Sequence, residues 1–192
     1  MKSKKGFTLI ELLAVIVILA ILLAVAIPMV TNYISGSRRD SLVTTAKEFA
    51  DAVEKDATSG KYELPISSND VTIVSLDLMK LQKGGTKSPF NAKWVIDSSY
   101  VAIINVGTDI DPAYKYFVTL ADAKRYTIAL TNSEKVKSNL VVRNDISRKK
   151  AVVLPFCGDS EGKYMIVPNI PGLEDYKVGN SWSVTVYSGG DC

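Results

Sequence analysis

From Phe7 to Val30 the chain reads FTLIELLAVIVILAILLAVAIPMV, apolar at every position except Thr8, Glu11 and Pro28. No polar face recurs in it, so the pattern predicts a helix that is hydrophobic all round. At 1.5 Å per residue such a helix reaches roughly 36 Å, against a bilayer hydrocarbon core of roughly 30 Å. It is long enough to span. Lys2, Lys4 and Lys5 stand just before it, and positive charge on that side keeps residues 1–6 in the cytoplasm and sends the rest of the chain across the membrane.

Beyond Pro28 the pattern changes. Leu42, Val43, Ala46, Phe49, Ala50, Val53 and Ala57 recur at spacings of three and four, with Lys47, Glu48, Asp51, Glu54 and Lys55 between them, which predicts an amphipathic helix whose apolar stripe packs on a sheet. Lys47 with Asp51, and Asp51 with Lys55, are i,i+4 pairs. Gly60 is placed to cap this helix and Pro65 to stop it. Ser35-Gly36-Ser37 either interrupts or bends it; unbroken, residues 7–58 would make a rod of roughly 78 Å.

After residue 65 strand signals take over: Val71–Val74, Tyr100–Val106, Tyr114–Leu120, Tyr126–Leu130, Ala151–Leu154, Tyr164–Val167 and Trp182–Tyr187. Tyr100–Val106 is apolar on both faces, as a covered central strand requires. Asp122–Arg125 reads equally as a helical turn. Gly84-Gly85, Asp111-Pro112, Pro171-Gly172 and Gly189-Gly190 mark turns. A long helix followed by several strands gives an α+β fold, the helix laid on an antiparallel sheet.

Composition narrows the chemistry. The 192 residues include no histidine, which removes Ser-His-Asp and Cys-His catalysis and every histidine-ligated metal site. The two cysteines, Cys157 and Cys192, cannot form a CxxC motif or a four-thiolate site. Neither a catalytic residue nor a metal or cofactor site is expected, and the chain reads as a non-enzyme.

Glu11 then needs explaining, because a carboxylate inside a bilayer costs roughly 2.5 to 3.5 kcal/mol at its centre and asks for a partner. An ordinary secretory signal cut after Ala26 is one reading, since Ala24-Val25-Ala26 offers a small-x-small site; the mature product would then be a secreted binding protein or enzyme. The apolar run is too long for that and carries the charge. A plain membrane anchor accepts the length but gives Glu11 no role.

Gly6-Phe7-Thr8-Leu9-Ile10-Glu11, behind a short basic leader and ahead of an apolar helix, resembles the class III signal peptide of type IV prepilins and pilin-like proteins. The resemblance covers residues 1–30. It implies cleavage after Gly6 by a prepilin peptidase, N-methylation of Phe7 by the same enzyme, and pairing of Glu11 with the terminal amine of a neighbouring subunit. It implies a loosening of the helix at Pro28, where the alternative is that Pro28 ends the membrane span. It further implies a leader at 1–6, a transmembrane and assembly helix at 7–30, an amphipathic continuation at 31–60 and a β-rich head at 61–192. The expected partners are copies of the chain in a helical filament, the peptidase, an assembly platform with its motor ATPase, and the membrane before assembly. The precursor would sit in the cytoplasmic membrane and the product in an extracellular pilus serving adhesion, aggregation or twitching motility. A pseudopilin or minor pilin of a type II secretion or DNA-uptake system shares the same N-terminus.

Export would place both cysteines where a disulfide can form. A Cys157–Cys192 bond, which resembles the C-terminal loop of many pilins, would close about 35 residues and stabilise by roughly 3 to 4 kcal/mol. The alternative is two free thiols. Other groupings are weaker. Gly85-Thr86-Lys87-Ser88 lacks the spacing of a phosphate loop. Asp109 with Asp111, or Asp159 with Glu161, could ligate calcium, but neither set matches an EF-hand loop and solvated turns are the better reading. Arg38-Arg39 and Arg148-Lys149-Lys150 are better read as solvated surface than as nucleic-acid contacts. The formal net charge of +3, from 23 Lys plus Arg against 20 Asp plus Glu, resides in the leader: without Lys2, Lys4 and Lys5 the side chains balance.

Overall fold

The computed structural model describes residue 6 and residues 8–79, 85–143 and 159–189. Helix α1 runs Leu9–Thr58 without interruption, through both Pro28 and Ser35-Gly36-Ser37. The chain forms two compact units, Met1–Arg38 and Arg39–Cys192. In the second unit the predicted stripe is buried: Leu42, Ala46, Phe49, Ala50, Val53 and Ala57 all face inward, with Val43 half-buried. Thr45 joins them, its hydroxyl hidden by donating to the Ser41 carbonyl at 3.0 Å. The helix ends where Gly60 predicted. Gly60 adopts φ +82°, its N–H donates to the Ala57 carbonyl at 3.0 Å and Lys61 N–H to the Asp56 carbonyl at 3.0 Å. That is a Schellman cap, which needs a left-handed residue where Gly60 stands. The expected Lys47–Asp51 and Asp51–Lys55 pairs are not formed; the ion pair at this end is Lys61 with Asp56 at 2.6 Å. Exposed i,i+4 pairs contribute only tenths of a kcal/mol, so little holds them together.

Among the described residues the helix is followed by a seven-stranded sheet: β1 (Asp70–Ser75), β2 (Tyr100–Asn105), β3 (Tyr114–Ala121), β4 (Tyr126–Asn132), β5 (Val141–Arg143), β6 (Asp159–Val167) and β7 (Trp182–Gly189). Their spatial order is β5-β4-β3-β2-β1-β7-β6. Every neighbouring pair is antiparallel except β1 with β7, which run parallel with Asp70 opposite Ser183 and Val74 opposite Tyr187. The fold is α+β with a mostly antiparallel sheet. As its sequence demanded, β2 is buried at all six positions and lies in the middle of the sheet. The ambiguous Asp122–Arg125 segment is a turn, with Arg125 at φ 72°.

Alternation divides the strand side chains between two cores. On one face Val74, Val101, Ile103, Val118, Leu120 and Ile128 pack against the α1 stripe. On the other, Val71, Ile73, Ala102, Ile104, Val184 and Val186 are covered by Ile170, Leu173 and Tyr176 from residues 168–181, the connection between β6 and β7. This second cover was not foreseen. Three apolar residues at a spacing of three, in a segment bounded by Pro168 and Gly179, were the available signal. The strap lies tight on β4: Gly172 has φ +96°, and an added Cβ would stand 2.7 Å from the Leu130 carbonyl oxygen.

Tyr116 of β3 is half-buried against the core that α1 and the sheet share. Burial pushes its hydroxyl up to about 12, and the negative charges of Glu54 and Tyr114 act in the same direction. An unfolded tyrosine ionises near pH 10. Between about pH 10 and 12 the unfolded chain therefore holds fewer protons than the folded one, and stability falls as pH rises. Below pH 10 the contribution is fully present. Unfolding midpoints of the full chain in detergent should decline over that interval, and Tyr116→Phe should flatten the decline; an identical slope in that variant would remove Tyr116 as its source.

Candidate functional site

The first unit is defined by what surrounds it. Large apolar side chains from Leu9 to Ile34 are all exposed, among them Leu9 at 82%, Ile10 at 74% and Met29 at 68%. None of the most apolar stretch is buried, and the helix is long and apolar enough to cross a membrane. Left in water this surface would be strongly unfavourable, at about 25 cal/mol per Å², so it requires a bilayer or other helices.

At the start of this surface stands the one carboxylate in the run. Glu11 Oε2 accepts hydrogen bonds from the Thr8 N–H and from Thr8 Oγ1, both at 2.8 Å, while Glu11 N–H donates to Thr8 Oγ1 at 3.3 Å. This reciprocal arrangement is a capping box, with Thr8 as N-cap and Glu11 in the third helical position. It satisfies two N–H groups that the first turn leaves without intrahelical partners. Sequence reasoning missed this role, although Thr8-x-x-Glu11 ahead of an apolar run is its signature. Both bonds to the carboxylate fall on Oε2, and among the described residues Oε1 accepts none.

Gly6 is exposed, two residues before the cap. Pro28 lies inside α1 and does not end it; Thr31 Oγ1 donates to the Pro28 carbonyl at 2.9 Å. Lacking an N–H, Pro28 removes one i→i−4 bond from the ladder. Phe7, Cys157, Cys192 and the strand expected at Ala151–Leu154 lie outside the described residues.

Residues 1–27 match the family model for the prokaryotic N-terminal methylation motif. The chain is 44% identical over 62 residues to the type IV major fimbrial protein FimA of Dichelobacter nodosus, covering 32% of this chain and 40% of that one. Over its N-terminal segment the chain is thus similar to type IV fimbrial proteins. The chain is also 39% identical over 61 residues to a fimbrial protein of Pseudomonas aeruginosa, with 32% and 40% coverage, and 43% identical over 71 residues to fimbrial protein Q of Moraxella bovis, with 36% and 45%. The chain thus spans about 40% of the length of the curated relatives it matches. No solved structure matches it significantly.

The weaker groupings in the sequence fall elsewhere. Ser88 is buried and donates to Asp122 Oδ2 at 2.5 Å; it braces residues 85–94 against the β3–β4 turn, with Tyr126 N–H donating to the second Asp122 oxygen at 3.0 Å. A hydroxyl so committed does not belong to a phosphate loop. Asp109 and Asp111 occupy an exposed β2–β3 loop closed by its own backbone, Thr108 N–H to the Asp111 carbonyl at 3.0 Å. Arg38 and Arg39 are exposed on α1. The side chains of Asp159 and Glu161, and residues 148–150, are outside the description.

Proposed function

We propose that this chain is the structural subunit of a type IV pilus, processed after Gly6, methylated at Phe7 and polymerised through its N-terminal helix into an extracellular filament. The observation that carries the reading is an uncovered apolar helix whose first turn holds a carboxylate with one oxygen still available. Moving the helix from lipid into a bundle exchanges one apolar surrounding for another, so burial alone gives little drive. Packing and the Glu11 pair must tip the balance. Cleavage after Gly6 leaves the Thr8 N–H in place, so the capping box outlasts processing. Oε2 continues to cap its own helix while Oε1 receives the methylated amine of a neighbour.

Charge placement explains why the amine needs that neighbour. A cation at a helix N-terminus opposes the helix dipole, and an anion there is favoured. Inside an apolar bundle, leaving either ion alone is far worse than pairing them, so the pair selects one axial register. Pro28 lets the helix loosen below the head as it packs. Relatives named as fimbrial proteins support the filament reading over that of a secretion pseudopilin. The head would occupy the filament surface, available for adhesion, aggregation or motility. Mass spectrometry of the mature chain tests the processing step: N-methylated Phe7 is expected. A mature terminus at Ile27 would instead assign the chain to ordinary secretion.

A further inference from the structure

Charge is unevenly distributed over the head, and the unevenness follows the strand ends. At one corner the β3–β4 turn, β5 and residues 85–94 lie together: Ala123 N–H donates to the Lys93 carbonyl at 2.9 Å, Lys124 Nζ to the Phe90 carbonyl at 2.8 Å, and Tyr126 pairs with Arg143 across β4 and β5. Lys87, Lys93, Lys124 and Arg143 are all exposed there. Phe90 stacks on Tyr126 with ring centres 3.5 Å apart, and the Arg143 guanidinium lies 5.6 Å from the centre of the same ring, so the positive charges sit on a braced mount. Among the described residues the nearby acids are Asp97, half-buried, and Asp122, which is buried and already hydrogen-bonded.

At the opposite strand ends, where β1 and β7 begin and β2 finishes, the sign reverses. Glu63, Asp109, Asp111, Glu174 and Asp175 are exposed on three loops. Lys61 here is paired with Asp56, and Lys115, over the Tyr176 ring at 5.3 Å, and Lys177, on the Pro168 carbonyl, are outnumbered by the five carboxylates. The same loops carry Ile66 at 71%, Ile110 at 96% and Val178 at 73% exposure. Asn105 Nδ2 donates to the Ile66 carbonyl at 2.7 Å and Gly179 N–H donates to Asn69 Oδ1 at 3.0 Å, clasping the loops together. Single exposed aliphatics are ordinary. Three on clasped loops, ringed by carboxylates, have the make-up of an interface with an apolar centre and a polar rim.

We propose that these two corners dock on one another in successive copies of the chain, the acidic aliphatic loops of one head against the basic β4–β5 corner of the next. The inference deepens the filament reading and rests on it. Two unlike surfaces on one subunit make a heterologous contact, which propagates into a ring or an open filament, whereas a self-complementary patch stops at a dimer. Opposed charges set the register and reject the juxtaposition of two like corners. The attraction is short-ranged at physiological salt, where the screening length is about 8 Å, so it acts only when the corners are seated.

Zero-length carbodiimide coupling on sheared filaments of the full chain tests the contact, with the detergent-solubilised chain as reference. Links joining Lys87, Lys93 or Lys124 to Asp109, Asp111, Glu174 or Asp175 should form in filaments and not in the solubilised chain. Reversing either corner, by Lys87→Glu with Lys93→Glu or by Asp109→Lys with Asp111→Lys, should lower filament yield about tenfold, and combining the two reversals should restore most of it. Wild-type filaments without these links, undiminished yield in the reversed variants, or no recovery in the combination would each overturn the contact and leave the pilus reading standing. A wild-type preparation without any filament would instead remove the pilus reading, and this contact with it.

Discussion

Glu11→Gln and Glu11→Ala should both yield chains that are cleaved and remain in the membrane, and both should lose sheared filaments by at least about tenfold. The pair of variants separates two roles. Glutamine serves in a capping box as glutamate does, so Glu11→Gln retains the bonds to Thr8 and loses only the charge. Alanine loses the cap as well, at a further cost of about 1 kcal/mol to the first turn. If the charge sets register, the two variants fail alike in filament yield and differ only in fraying of the N-terminal turn, which amide hydrogen exchange in detergent would read. Filaments at wild-type level from Glu11→Gln would show that the cap suffices and that no ion pair is formed between subunits.

The largest effect on the head itself is expected from Phe49→Ala. Phe49 is fully buried at the centre of the α1 stripe, against the sheet face that includes Val101, Ile103 and Leu120. Truncating a buried phenylalanine costs about 3 to 5 kcal/mol, transfer and cavity together, out of a typical total of about 5 to 15. Urea unfolding of the full chain in detergent, followed by fluorescence of Trp94 and the buried Trp182, should show a large drop in midpoint. Ile110→Ala, at 96% exposure, should change it by no more than about 0.5 kcal/mol. A small effect at Phe49 would mean that α1 is not held to the sheet by this stripe.

Much of this architecture was readable because it is written in local periodicity. The stripe from Leu42 to Ala57 and the Gly60 cap are properties of one helix, and the strands at Tyr100, Tyr114, Tyr126 and Trp182 begin where their aromatic residues announced them. What escaped depends on partners distant in sequence. β5 is three residues long and exists because Val141 and Arg143 find Ile128 and Tyr126 opposite. The parallel pairing of β1 with β7 leaves no trace in either strand taken alone. Residues 168–181 look like a loop and act as a cover, since only the folded sheet gives Ile170 and Leu173 a surface to bury. At the candidate site the opposite error occurred. Glu11 was so conspicuous as a charge among apolar residues that its local bond to Thr8, three residues away, was overlooked.

The β1–β7 ladder also dictates an order of events. Asp70 finds its partner at Ser183, so the first strand of the sheet waits for the last, and such distant pairing is slow to form. Until Trp182–Gly189 is free to pair, β1 has one unpaired edge and β6 has no neighbour among the described strands. A chain synthesised from its N-terminus therefore stays incompletely knit until its last strand is released. Truncation within the last strand would leave the sheet at that stage, open to proteolysis.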